Sequence, residues 1–380
     1  MSSGGTKEFQ SVPSSDAGAT LARAFEELSS ENEDLVRVRS ATNLLVYDGE
    51  HEQDIDQFVS VLSEVRPGRF FRVGVSEDFR GKLDDVKVSV RCERSDTGEV
   101  YCVEFIEMQL SPLEFKKFES ILSAFRYPGV PLHAVVRLHR RHEKLTSRVI
   151  EIADRAFVSS ERLSDSVLHT LIGSDLESAF GSSSRRSGEG SNTVDLNWLA
   201  LSTWRQEIRN AFSTPIPCSL LGNMSLISLE VPFNEKGAPS WSTYLLCGWL
   251  MNRLGLAVTA SSSHGFECHN EQTKGLVELR LMPGAEGALP TKVTFADSEA
   301  SGVRVTVRTA VPSLVEGLMQ FETVVERGEE AFRRSSSEKY DGDVGCLERY
   351  YKIGESTENY LSSLKEALSL RGLEAGFRGV

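Results

Sequence analysis

Residues 41–75 read ATNLLVYDGEHEQDIDQFVSVLSEVRPGRFFRVGV. Ala41 to Tyr47 is a run of the kind that forms a buried strand. From Asp54 to Val65 the period changes: Ile55, Phe58, Val59, Leu62 and Val65 share one helical stripe. Pro67-Gly68 breaks the helix, and Phe70 to Val75 is a second strand. Together they form a β–α–β unit of the right size for a parallel pair.

The pattern continues outward. Val86 to Arg91 and Val100 to Met108 read as strands joined by Ser95-Asp96-Thr97-Gly98, whose Asp and Gly supply hairpin turn chemistry. Pro112 opens a helix with Phe115, Phe118, Ile121, Leu122 and Phe125 on its stripe, ended by Tyr127-Pro128-Gly129. His133 to Leu138 is a strand, Glu143 to Ala153 a helix, and Arg155 to Ser159 a short strand. The fold class is therefore α/β with two domains, the N-terminal one layered with a mostly parallel sheet. Residues 1–35 are expected as a flexible tail, with a short helix near Leu21 to Leu28, and 36–180 as the first domain. Residues 181–194 are Ser/Gly-rich and read as a linker. Residues 195–380 form a C-terminal α+β (or α/β) domain. Its expected strands are Leu226 to Val231, Ala257 to Ser261, Leu276 to Leu281, Lys292 to Ala296 and Val303 to Ala310. Its expected helices are Trp241 to Leu254, with Gly255 as C-cap, Leu314 to Arg333, and Thr357 to Leu370.

The chain has 380 residues, enough to bury about three quarters of its unfolded surface. Its net charge is −13, which argues against nucleic acid or an anionic membrane as partner, since phosphate neutralisation needs clustered Lys and Arg. Ten carboxylates against Arg37 and Arg39 lie between Glu26 and Asp56, either a solvated segment or a surface for a basic partner. Six scattered cysteines without a CxxC pair exclude a disulfide scaffold and a zinc ribbon. No apolar run is long enough to span a bilayer, and Met1 to Ala19 lacks the apolar core of a signal peptide, so a cytoplasmic location is expected.

Chemistry-bearing motifs are few. There is no G-x-G-x-x-G, no G-x-x-x-x-G-K-[ST], no G-x-S-x-G and no H-E-x-x-H, so no cofactor and no catalytic residue is expected. His264, Cys268 and His269 make a poor metal set, because on a strand the latter two point to opposite faces. Arg137, His139, Arg140, Arg141, His142 and Lys144 form a basic patch at a strand end, where ligands of parallel sheets sit. It reads either as a phosphate or carboxylate site, and hence a sugar-phosphate-binding enzyme using 137–144, or as a helix start paired with the acidic segment. Cys92 and Cys102 face each other if the hairpin loop has three residues. They are then two reduced core thiols or a thiol switch. Trp198 and Trp204 lie six apart, about 600° around a helix, and share a surface only if the helix begins at Ser202. They are core anchors, or an interface hot spot with Arg205.

Asp195-Leu-Asn-Trp198-Leu-Ala-Leu-Ser-Thr-Trp204-Arg205 resembles the D-L-x-W-x-x-L-T-x-W-R hallmark of the OpcA family, the glucose-6-phosphate dehydrogenase assembly proteins. The stretches at Ala41, at Val100 to Ile106 and at Tyr244 to Leu254 resemble family segments in the same order. The resemblance implies a non-catalytic, cytoplasmic protein of carbohydrate metabolism. It would bind glucose-6-phosphate dehydrogenase, favour its active oligomer and act as an allosteric activator. Asp195, Trp198, Trp204 and Arg205 would touch that partner. In photosynthetic relatives the coupling is redox-sensitive, which would bring the thiol-switch reading of Cys92 and Cys102 forward. A general scaffold built on the acidic segment is the other non-enzymatic reading.

Overall fold

The computed structural model describes residues 6–8, 11–31, 35–37, 39–49, 51–79, 85–94, 100–180, 192–233, 237–262, 265–284, 287, 289–297, 302–309, 318–339, 342–354 and 359–378. The chain divides into two compact units, residues 1–196 with 347–354, and residues 197–346 with 355–380. Among the described residues no helix is long and apolar enough to cross a membrane.

The first unit holds β1 (Thr6–Glu8), β2 (Val12–Pro13), α1 (Ala17–Glu31), β3 (Leu35–Arg37), β4 (Ala41–Asp48), α2 (Glu52–Val65) and β5 (Gly68–Val75). It continues with β6 (Asp85–Arg94), β7 (Val100–Leu110), α3 (Phe115–Phe125), β8 (Leu132–Arg137), α4 (Glu143–Ile152), β9 (Arg155–Val158), α5 (Asp165–Phe180) and β10 (Thr193–Asp195). The sheet runs β7-β5-β4-β8-β9-β10, all parallel, with β6 antiparallel on the outer side of β7. This is the doubly wound order 3-2-1-4-5-6, in which chain direction across the sheet reverses between β4 and β8. All eight residues of β4 are buried, as a central parallel strand covered on both faces requires. The helix stripe read from the sequence is the buried face of α2: Ile55, Phe58, Val59 and Leu62.

Three expectations need correction here. The segment taken as a tail carries α1, whose Ala17, Leu21, Ala24 and Leu28 are buried. The first unit also extends past the expected linker, whose residues 181–191 lie outside the described ones, because β10 adds a sixth parallel strand beside β9. Finally, Cys92 does pair with Cys102 across β6 and β7, but as a disulfide, not as two reduced thiols. The turn expected at Ser95 to Gly98 lies outside the described residues.

The second unit is built on an eight-stranded sheet. Its elements are α6 (Leu196–Ala200, joined from the first unit), α7 (Ser202–Ala211), α8 (Pro215–Leu220), β11 (Met224–Val231), α9 (Trp241–Leu254), β12 (Leu256–Ser262), β13 (Gly265–Asn270), β14 (Leu276–Pro283), β15 (Lys292–Asp297) and β16 (Val303–Thr309). The last are β17 (Leu318–Arg327), β18 (Glu330–Lys339), α10 (Gly342–Ile353) and α11 (Tyr360–Arg378), and α10 from Leu347 onward groups with the first unit. The order is β12-β13-β14-β11-β15-β16-β17-β18, with β11 and β14 parallel and the other described pairs antiparallel. Burial alternates along β14 and β16, so one face is covered and the other is polar. The helix expected from Leu314 to Arg333 is instead the β17–β18 hairpin, with 314–317 outside the described residues; Phe321 and Thr323 alternate inward. α9 is buried from Trp241 to Met251 and packs on α11. Gly248 permits that approach: a Cβ there would lie 2.2 Å from the Ser363 carbonyl oxygen. Gly255 ends α9 at φ 61°, the left-handed cap its position suggested.

Candidate functional site at the carboxyl end of the first sheet

The crevice outside the carboxyl ends of β4 and β8 is where the chain direction reverses, the position at which doubly wound sheets bind ligands. β4 ends on Asp48, which is buried. Its Oδ2 accepts a 2.7 Å hydrogen bond from the His139 backbone N–H, spanning the crevice. Its Oδ1 accepts no hydrogen bond among the described residues and lies 3.7 Å from His51 Nε2. His51 is fixed by its own backbone N–H, which donates to the Asp48 carbonyl at the start of α2. Arg162 Nη1 contacts the same Nε2 and lies 3.2 Å from His51 Nδ1. Burial lowers the His51 pKa below its ordinary value, and the Arg162 guanidinium lowers it further, against the opposing pull of Asp48. The imidazole is therefore neutral at physiological pH and able to accept a proton.

The basic patch stands on the β8 side. Arg137 is buried, its Nη2 donating to Asp54 Oδ2 at 2.9 Å. The patch and the acidic segment are thus partly paired, through Asp48 and Asp54. His139 Nδ1 accepts from the Arg141 backbone N–H at 3.3 Å. Arg140 donates twice to the Glu161 carbonyl, at 3.1 and 2.7 Å. Arg141 Nε donates to His142 Nε2 at 3.3 Å, and its guanidinium is 3.6 Å from Glu77. His142 is buried, and that burial, then Arg141, lowers its pKa. His139, Arg140, Arg141 and Lys144 remain exposed at the start of α4.

The four residues expected to meet a partner are elsewhere and hidden. Asp195 is 0% exposed, Trp198 1%, Trp204 0% and Arg205 5%. Asp195 ends β10 and accepts the Ser160 backbone N–H at 3.1 Å. The Arg205 guanidinium stacks 3.7 Å over the Trp198 ring and donates to the Trp198 carbonyl at 2.6 Å. Trp204 packs edge-on against Phe321. Both tryptophans are buried although residues 196–200 are helical, because α6 ends at Ala200 and α7 restarts at Ser202. Cys268 is buried in β13, and its burial pushes the thiol up to about 12; among the described residues no metal-binding group forms, and His264 lies outside them. Asp48, His51 and Arg162 were not singled out in the sequence. Their one signal is that Asp48 directly follows the apolar strand run.

No family model matches the chain, and no curated protein sequence matches it. Among solved structures the chain resembles the two-domain α/β oxidoreductases. KijD10, a 3-ketoreductase from Actinomadura kijaniata solved with NADP and TDP-benzene, is 11% identical, over 88% of this chain and 98% of that one, with a TM-score of 0.50. Biliverdin reductase from Synechocystis sp. PCC 6803, solved with biliverdin and NADP+, is 11% identical over 89% of this chain and 98% of that one, with a TM-score of 0.47. At these identities the likeness is one of fold. It corrects the expectation drawn from the hallmark-like motif: no sequence match supports OpcA, and the architecture is shared with KijD10. The non-catalytic assembly-factor and activator readings do not stand. Physically, the motif's Trp and Arg side chains serve the interior of the second unit.

The shared fold implies a dinucleotide at the β4–α2 turn, but the residues do not fit one. The turn reads Asp48-Gly-Glu-His51, and the first turn of α2 adds Glu52 and Asp54. A pyrophosphate there would face carboxylates at a helix N-terminus that should present bare N–H groups. The Asp48 carboxylate already holds the His139 N–H across the crevice, as an anionic ligand would.

Proposed function

We propose that the chain is an enzyme whose reaction is proton transfer on a small phosphate- or carboxylate-bearing substrate, carried out at the β4–β8 crevice. The observation that carries this is the buried Asp48 carboxylate set beside a neutral His51 at the switch point. His51 is the general base: its imidazole takes the substrate's proton once the substrate anion draws Arg162 off Nε2, and Asp48 stabilises the imidazolium that forms. Arg162 offers positive charge beside the base to the substrate anion that results. Arg140 and Arg141, exposed at the start of α4, supply the charge that draws in the anionic group. The oxidoreductase-type fold supports an enzyme, and the site's own side chains favour acid–base chemistry over a dinucleotide cradle.

Differential scanning fluorimetry with a panel of sugar phosphates, beside NADPH, tests the binding half of this reading. A rise in Tm that saturates with a sugar phosphate and is reduced in Arg140→Ala/Arg141→Ala is expected, with no saturable response to NADPH. Saturable stabilisation by NADPH alone would overturn it.

A further inference from the structure

A second cluster of guanidinium groups lies at the opposite, amino end of the first sheet. β7 is flanked in succession by β3 and β5: Arg37 pairs in register with Cys102, and Arg69 with Glu104. The two arginines therefore bracket Glu104, which is buried. Arg37 Nε donates to Glu104 Oε1 at 2.5 Å, and Arg69 Nε donates to Oε2 at 2.8 Å. The Tyr127 hydroxyl donates to the same Oε2 at 3.1 Å and accepts from Arg69 Nη2 at 2.6 Å. Arg69 Nη1 is spent on the Phe125 carbonyl. A third guanidinium, of Arg39, lies 4.2 Å from the Tyr127 ring centroid, and that of Arg69 lies 4.3 Å from it.

The charges do not balance. Among the described residues three guanidiniums meet one carboxylate, an excess of +2 in a half-buried setting. Arg69 is nearly buried and Arg37 is 23% exposed at its side chain, so solvent screens them poorly. Arg39 is exposed and, among the described residues, pairs with no carboxylate and makes no hydrogen bond; its contact is the Tyr127 face. Its fork of donors is thus held in place by the ring and left open to solvent.

We propose that Arg37 and Arg39, the latter held on the Tyr127 ring, form an oxyanion site at this edge, selective for a phosphate dianion. A dianion matches the excess of +2, and a planar guanidinium fork suits phosphate oxygens. Arg69 and Glu104 are positioning residues, holding Arg37 and Tyr127 in place. The site is separate from the crevice at the carboxyl end and does not depend on the reaction proposed there. It takes the phosphate group alike from inorganic phosphate or from a phosphate monoester.

The test is isothermal titration with inorganic phosphate and, separately, with glycerol 3-phosphate, in the Arg140→Ala/Arg141→Ala background that removes the exposed arginines of the crevice patch. Sodium chloride at equal ionic strength is the control. Saturable binding is expected, weakened at least tenfold by Arg39→Ala and less by Arg39→Lys, with unchanged circular dichroism and Tm in the absence of ligand. Binding of the ester alone would make a phosphorylated metabolite the ligand; binding of both would make it the bare phosphate group. No saturable heat, an equal effect of chloride, or an unchanged Kd in Arg39→Ala would overturn the proposal.

Discussion

Glu104→Gln should destabilise the first unit by about 3–5 kcal/mol, the cost of removing one partner from a buried ion pair. The amide keeps the size of the carboxylate but not its charge. Arg37 and Arg69 would then face each other across a neutral group, with Tyr127 holding a hydrogen bond of half its former strength. Few other single changes combine such burial with such charge. Chemical denaturation followed by hydrogen exchange of β5 and β7 peptides reads the effect where it arises. A loss below about 1 kcal/mol would mean that solvent, not Glu104, balances these arginines.

Acid should act on the first unit through His133. This residue is the second of β8, is buried, and lies 3.0 Å through Nδ1 from the Tyr351 hydroxyl. Burial, then the nearby Arg66 and Arg155, lower its pKa to about 4. The unfolded chain binds the proton first, near pH 6.5, so stability is fully present above that value. It is lost as pH falls from about 6.5 toward about 4. At 1.36 kcal/mol per pKa unit the loss is on the order of 3 kcal/mol. Carboxylates also titrate in this range, so the informative quantity is the difference between the wild type and His133→Phe. Exchange protection of β8 measured at pH 7 and pH 4 should fall further in the wild type, by roughly that amount. Equal losses in both proteins would show that His133 does not carry the acid response.

What could be read in the sequence follows from how strongly burial shapes composition. β4, α2, β5 and α9 are covered by protein, so their apolar periodicity is unbroken and their boundaries were legible within a few residues. β18 is an exposed edge strand reading EAFRRSSSEK, which buries almost nothing and leaves no alternation to find. Its partner β17 was then misread as part of a helix. β10 has three residues, too few for any period, and so the sixth strand of the first sheet went unseen.

The candidate site was legible only in part. The basic patch was visible because its residues are contiguous. Asp48, His51 and Arg162 were not, because Arg162 reaches His51 across 111 residues of chain and only the parallel sheet brings them together. The motif from Asp195 to Arg205 misled for a related reason. A tryptophan beside an arginine suggests an interface, yet here the guanidinium stacks on Trp198 inside the second unit.

The most direct test of the proposed chemistry is deuterium exchange into substrate carbon. The protein is incubated in D2O with the panel of sugar phosphates, and exchange of the hydrogen on the carbon next to the carbonyl is followed by proton NMR. Exchange above background is expected with at least one member. It should fall by roughly 100-fold or more in His51→Gln, the contribution typical of a general base. Exchange that persists undiminished in a folded His51→Gln protein, or none above background with any phosphate ester, would contradict proton transfer at the β4–β8 crevice.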